Sequence, residues 1–407
     1  MAPDDGRPGA TLAIMLIAAA VTLVVWVAMA LVTLYSYRHV FRIEEIGMPR
    51  DGDPPLPRLS VVVAARNEEY GVKQALTSLL DLDYPDYEVI FVDDRSDDRT
   101  GDIADRLSAG NDRLKVIHVE ELPDGWFGKN HASWRGARSA RGDVLLFTDG
   151  DVVFGREAVM RGVRHLLRNG RDHLAVLPTL AMRSPMLQAC VIVFHWGAHV
   201  TARLWQVRDP GSTASFGVGA YNLFRADSYR AIGGHRQVAL RPDEDYQLGR
   251  LVKLTGHRSD LVRAESSVRC EWYSSVRDLV RGMEKNLFAF RDYRISAVFV
   301  QTVGLLWTGI APAVLTVVLA PVDMAAAALF AASTMVAWVF AICIARVSRF
   351  RWWTGLLLPV ASAVIAWTWW RSMIVTLRGR LAWGGPAVPL SELRAARLRP
   401  MDDRRSA

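Results

Sequence analysis

Acidic residues recur in this chain where an apolar run gives way to a turn. Thr148-Asp149-Gly150-Asp151 directly follows the run Asp143–Phe147. Two carboxylates one residue apart place hard oxygen ligands on one turn, and Gly150 permits the tight backbone. Mg²⁺ or Mn²⁺ takes such ligands and bridges them to phosphate oxygens. Asp-Gly-Asp is also an ordinary turn; its position after a continuous apolar strand is what favours the metal reading. Val92-Asp93-Asp94-Arg95-Ser96-Asp97 puts two more carboxylates at a strand end. There they can accept hydrogen bonds from a ribose hydroxyl or a base N–H, or simply cap a helix. Asp243-Glu244-Asp245 precedes the helical pattern of Leu248, Leu251 and Val252. A carboxylate at that place serves either as a general base or as a partner of the helix dipole.

Two glycine-containing turns accompany the acids. Gly125-Trp126-Phe127-Gly128-Lys129-Asn130-His131 lies ahead of a helical stretch. It suits a phosphate or base clamp, although its spacing is not that of a nucleotide-binding P-loop. Phe216-Gly217-Val218-Gly219 is a second flexible turn, able to approach a ligand or merely to reverse the chain.

The elements that must position these residues alternate in type. Leu59–Val63 reads as a buried strand, and Val72, Ala75, Leu76, Leu79 and Leu80 have helical spacing. Glu88–Val92, Leu114–Val119 and Asp143–Phe147 read as further strands, with a helix over Ala132–Ala140. Strands separated by helices imply right-handed crossovers and an α/β fold with a mostly parallel sheet covered on both faces. In such sheets ligands bind at the carboxyl ends of the strands.

Residues 11 to about 36 carry no charge, which is long enough to span a bilayer. The run exceeds a signal-peptide core, and Tyr37, Arg38, His39 and Arg42 follow it instead of a small-residue cleavage site. Asp4, Asp5 and Arg7 precede it, so the charge bias puts the residues after about 38 in the cytoplasm. Three more apolar stretches lie at about 297–320, 324–345 and 354–377. Three crossings from a cytoplasmic domain would leave the tail outside. That tail carries Arg378, Arg380, Arg394, Arg397, Arg399, Arg404 and Arg405, which favours the inside. Either one stretch is interfacial or re-entrant, or the charge rule fails. Arg371, in the last stretch, snorkels or marks an interfacial helix. The expected division is a tail 1–10, an anchor 11–37, a linker 38–57, an α/β domain 58–295, membrane helices 296–377 and a basic tail 378–407.

Composition agrees with a mixed, membrane-anchored chain. Of 407 residues, 51% are hydrophobic, too many for an ordinary soluble protein and too few for one wholly in lipid. Cys190, Cys270 and Cys343 are sparse and odd in number, which argues against a disulfide framework. The net charge of +7 suits anionic lipid. The arginines are dispersed and no nucleic-acid motif is present.

In order and spacing these motifs resemble the family 2 glycosyltransferases, whose fold is called GT-A, and within them the membrane-bound ceramide glucosyltransferase-like and hopanoid-associated branch. The resemblance covers about residues 58–290. It is carried by Ala65-Arg66-Asn67-Glu68, Val92-Asp93-Asp94, Gly125–Lys129, Asp149-Gly150-Asp151, Gly217–Arg225, Gly233-Gly234 and Glu244-Asp245. It implies a nucleotide-sugar donor, a UDP-sugar first among these, held by Ala65, Arg66, Asn67, Glu68, Asp93, Asp94, Lys129, Asp149, Gly217 and Gly219. It implies a divalent cation, Mg²⁺ or Mn²⁺, at Asp149 and Asp151. It further implies a catalytic base at Asp245 with Glu244 beside it, and an inverting direct displacement. Many membrane members carry Gln/Arg-x-x-Arg-Trp after the base. Here Arg281-Gly282-Met283-Glu284-Lys285-Asn286 matches only its first position. Trp272, Arg281 and Lys285 are the acceptor-side candidates. The departure weakens the reading as a processive polysaccharide synthase and favours transfer of one sugar to a membrane lipid, by a multi-pass enzyme of the cytoplasmic membrane. An inactive membrane-tethered scaffold loses ground because all three acidic motifs are intact. A transporter is disfavoured by the long α/β stretch between the first span and the rest.

Overall fold

The computed structural model describes residues 7–48 and 52–398. Asp4, Asp5, Asp51, Arg399, Arg404 and Arg405 lie outside the described residues. The chain divides into two compact units. One comprises Tyr37–Ala181, Ala202–Trp272 and the tail from Val375; the other comprises the chain up to Ser36, Met182–Thr201 and Tyr273–Ile374.

The first unit is built on strands β1 (Leu59–Ala65), β2 (Tyr87–Asp94), β3 (Leu114–Val119), β4 (Val144–Asp149), β5 (Val153–Phe154), β6 (His173–Leu177), β7 (Thr179–Leu180), β8 (Asn222–Arg225), β9 (Ser259–Arg263) and β10 (Val268–Cys270). Seven form one sheet in the order β3-β2-β1-β4-β8-β6-β9, and the small sheet is β5-β10-β7. The run β3-β2-β1-β4 is parallel; β8 is antiparallel to both neighbours, and β6 pairs parallel with β9. This is the mostly parallel α/β fold that the alternation of elements predicts. All seven residues of β1 are buried because helices cover both faces. Val61 and Val63 join one core cluster with Leu76, Leu79 and Phe91, while Val62 faces Leu145, Phe147 and Leu248 on the other side. Each fully buried Val, Leu or Phe contributes about 1.5–3 kcal/mol.

Register sets the business end. Ala65 pairs with Asp93, and Ala64 with Asp149, so β1, β2 and β4 end at one edge. Antiparallel β8 begins there, with Asn222 opposite Phe147, and so brings the preceding turn to the same edge. The expected linker is partly structured: Ile43 is fully buried in the core, and Arg263 N–H donates to Phe41 O at 2.9 Å. An apolar side chain with a place in the core does not stay in a linker.

The second unit holds the long apolar helices. Thr11–His39, Met324–Val347 and Trp352–Leu377 are each long and apolar enough to cross a membrane. The stretch expected at 297–320 is instead two helices, Ile295–Gly309 and Ala311–Leu319, bent by 50°. Pro312 at the start of the second helix has no N–H to continue the first, which accounts for the break. Helix Pro185–Ala202 belongs to this unit as well, within the span read as α/β from the sequence. Its apolar run is interrupted by His195 and His199, which disguise it. Trp196 stacks on Trp26 at 5.0 Å, and Ser36 Oγ lies 2.7 Å from His199 Nδ1. Arg371 does not snorkel alone: its guanidinium pairs with Glu284, because an isolated charge among apolar helices is costly.

Candidate active site

Helix Gly128–Ser139 starts earlier than its apolar pattern suggests, so Lys129 stands in its first turn instead of ahead of it. From there the ammonium reaches Asp149 Oδ1 at 2.5 Å and Glu244 Oε1 at 2.9 Å. Helix Glu244–Leu254 presents Asp245 beside them. Two backbone amides fix the Asp245 carboxylate: Gly219 N–H donates to Oδ2 at 2.8 Å, and Tyr246 N–H to Oδ1 at 2.7 Å. The Gly217–Gly219 turn passes close to all of these. A Cβ on Gly217 would lie 1.8 Å from the Asp245 carbonyl oxygen. One on Gly219 would lie 2.9 Å from Asp149 Oδ2 and 3.0 Å from Lys129 Nζ. The turn is tied to the sheet by Thr148 Oγ1, which donates to Ala220 O at 2.8 Å.

Electrostatics follow from one lysine among several acids. Burial disfavours the Lys129 ammonium, but Asp149, Glu244 and Asp245 outweigh it and hold its pKa well above the ordinary value. Burial also raises Glu244 and Asp245 above the usual carboxylate range, with Lys129 opposing. A second group lies on the Asp151 side. Burial, then Asp151 and Asp149, push Glu68 up to about 7; burial and Asp149 push Asp151 up to about 6. The site therefore holds more negative charge than its lysine neutralises.

The remaining residues lie on the loops that follow β1 and β2. Asp94 is buried and takes a two-pronged hydrogen bond from Arg95, at 2.8 and 3.0 Å. Burial raises its pKa, and Arg95 counters in part. Asp93 accepts from Ser96 N–H at 3.3 Å and faces His118 Nδ1 at 3.1 Å. The loop after Ala65 is locked to the loop after Asp94: Asn67 Oδ1 accepts from Asp97 N–H at 2.8 Å, and Glu68 N–H donates to Thr100 Oγ1 at 2.7 Å. Arg66 lies 3.8 Å from Asp97. Trp272 packs against the core of this unit. Arg281, exposed on helix Val276–Met283, and Lys285 belong to the other unit.

Several positioning residues escape a sequence reading. Asn130 Nδ2 donates to the carbonyls of Val238, Ala239 and Arg241 at 2.7–3.1 Å, fixing the approach to Asp243–Asp245. Arg241 and Asp243, both fully buried, form a two-pronged pair at 2.9 Å. Asp243 thus braces the helix start. The only signal was the alternation of charge in Arg241-Pro242-Asp243. Trp383 and Gly384 of the tail also reach this edge; their Gly-Gly-Pro context reads only as a turn.

Residues 60–232 match the family model described as Glycosyl transferase family 2. Relatives named 4,4'-diaponeurosporenoate glycosyltransferase, from Staphylococcus aureus strains USA300 and NCTC 8325, are 28% identical over 193 residues. The match covers 47% of this chain, which spans about half the length of these curated relatives. A Pyrobaculum calidifontis mannosyltransferase solved with GDP-Man and Mn²⁺ superposes with a TM-score of 0.47 at 16% identity, covering 90% of this chain and 99% of that one. A TarS fragment from S. aureus with UDP gives 0.38 at 14%, covering 79% and 91%.

Proposed function

We infer that this protein transfers one sugar from a nucleotide-sugar donor to a membrane lipid, with inversion at the anomeric carbon and with a divalent cation. The observation that carries the reading is the convergence of Asp245, Asp149 and Lys129 around Gly219, at the carboxyl edge of a family 2 domain. Asp245 is the base. Its two backbone hydrogen bonds hold one orientation, and its raised pKa strengthens it as a proton acceptor. It takes the proton of the acceptor hydroxyl as that oxygen attacks the anomeric carbon from the face opposite the diphosphate. The glycosidic bond forms, the bond to the diphosphate oxygen breaks, and the nucleoside diphosphate leaves with the electron pair. Glu244 holds Lys129 in place. Lys129 meets the donor phosphates, and Asp93, Asp94 and Arg66 hold the nucleoside.

The donor set fits a hard cation: Asp149 and Asp151 are carboxylates on one turn, where burial first and the neighbouring carboxylates second raise the pKa of Asp151 and Glu68. Among the described residues no three His, Cys, Asp or Glu side chains converge as ligands. A cation would therefore take Asp149 and Asp151 and complete its shell with water and phosphate oxygens, as Mg²⁺ favours. When bound it supplies neutralisation of the charge that develops on the diphosphate.

The lipid acceptor is supported by the relatives named for 4,4'-diaponeurosporenoate and by the apolar helices. The grouping of the tail from Val375 with the sheet in one compact unit supports a topology in which both lie on one side of the bilayer. The chain between them then crosses an even number of times. In that topology Met324–Val347 and Trp352–Leu377 are the two crossings, the bent pair is re-entrant, and the arginine-rich tail lies in the cytoplasm with the catalytic domain.

The test uses the detergent-solubilised full chain, a panel of UDP- and GDP-sugars with Mn²⁺ or Mg²⁺, and a total membrane-lipid extract. Cation-dependent release of nucleoside diphosphate with one new glycolipid is expected. A folded protein that releases none from any donor refutes the reading, and a ladder of products replaces single transfer with processive synthesis.

A further inference from the structure

The tail packs over Asp94 at the carboxyl end of β2. Leu381–Val388 is a loop pinned at its base, where Val388 N–H donates to Leu381 O at 2.9 Å and both side chains are buried. Its tip turns at Gly384, whose φ of +64° directs the carbonyl inward. That carbonyl accepts from Arg66 Nη1 at 3.0 Å and also from Arg95. The Trp383 carbonyl faces Gly128 N–H, at the start of the Lys129 helix, at 3.4 Å. The Trp383 ring lies 5.8 Å from Phe127 and 6.0 Å from Lys129 Nζ. A Cβ on Gly384 would sit 3.3 Å from Asp94 Oδ2, and the Asp94 side chain is only 3% exposed.

Two guanidiniums and a helix-start amide are donors of the kind that base carbonyls and phosphate oxygens take. Here neutral peptide carbonyls take them. With Asp94 covered as well, a nucleoside cannot reach it while the loop is seated.

We propose that Leu381–Val388 is an internal plug that occupies the nucleoside pocket and that the donor nucleotide must displace. This rests on the donor-binding reading of Asp94 and Arg66. Displacement is favourable because a charged phosphate is a stronger acceptor for arginine than a peptide carbonyl. It is also local: Leu398 is anchored in the core beneath the sheet, whereas Ala382, Pro386 and Ala387 of the loop are exposed. Seating of the plug lowers the competent fraction, and apparent affinity falls by that fraction.

The test follows amide hydrogen exchange of the full chain in detergent, with and without UDP or GDP plus Mg²⁺, together with nucleotide affinity of Trp383→Ala. Nucleotide should speed exchange at residues 381–388 while β1 and β4 stay protected, and Trp383→Ala should bind about tenfold more tightly. Slower or unchanged exchange in the loop on binding overturns the plug, as does weaker binding by the variant, which would make Trp383 a wall of the site. Exchange in the unaltered chain decides the matter even if the variant does not fold. Binding without loop opening refutes the plug alone; no binding of either nucleotide, by wild type or variant, refutes the donor reading with it.

Discussion

Asp245 is held by two backbone amides and stands beside a lysine that answers to three carboxylates. Replacing it with Asn keeps the shape and removes the proton acceptor. Asp245→Asn should therefore lower turnover by a factor of about 10² or more while nucleoside diphosphate affinity stays within about threefold. Equal turnover would remove Asp245 from the role of base. The same residue governs the pH profile. A base acts ionised, and burial raises the pKa of Asp245 and of Glu244 beside it. The acid limb of kcat/KM should accordingly lie above the ordinary carboxylate range, activity being lost as pH falls through it. Asp149, Asp151, Asp94 and Asp245 were legible as candidates because acids at strand ends and helix starts stand out. Asn130 and the Arg241–Asp243 pair were not, since their partners lie far off in the chain or look like ordinary surface charge.

The turn Phe216–Gly219 and helix Glu244–Leu254 pack too closely to admit a methyl group. Gly217→Ala would drive a Cβ to 1.8 Å from the Asp245 carbonyl. The expected cost is about 1–3 kcal/mol of stability, with a loss of turnover greater than the loss of folded protein. Thermal unfolding measured alongside activity separates the two. A different element secures the entry to the domain. Glu44 accepts from the backbone N–H groups of Glu265, Ser266 and Ser267 and from the Ser267 hydroxyl, at 2.6–3.0 Å. Burial opposes its charge, but these bonds prevail and bring its pKa down to about 2. A depressed carboxylate stabilises the fold above its unfolded pKa, and that stability is lost as pH falls from about 4.5 toward about 2. Glu44→Gln should cost about 2 kcal/mol near neutral pH and flatten this acid-side loss, as read from denaturant midpoints. Strands β1 to β4 were legible from their apolar runs to within a residue or two, whereas β5 to β10 were not read from the sequence; the end of the Lys129 helix was nearly legible. Its start was not, because Gly128, Lys129 and Asn130 carry no apolar signal and are placed by contact with Asp94 and the Val238–Arg241 loop.

For the molecule as a whole, the proposed topology is tested by reporter fusions. A reporter enzyme fused after residue 398 should be active only in its cytoplasmic form, and the same reporter fused at Asp323 should also report the cytoplasm if the bent pair turns back. An external signal at either point would restore three crossings or move the catalytic domain outside. The parallel sheet, its carboxyl-edge acids and the apolar helices were determined by the sequence itself. They follow from local periodicity and from the limited ways in which strands and helices can be joined. The inclusion of helix Pro185–Ala202 among the apolar helices and the return of Trp383 and Gly384 to Asp94 were decided only in three dimensions. Each depends on contacts between segments distant in the chain, where no pattern of neighbouring residues records which surface will be covered.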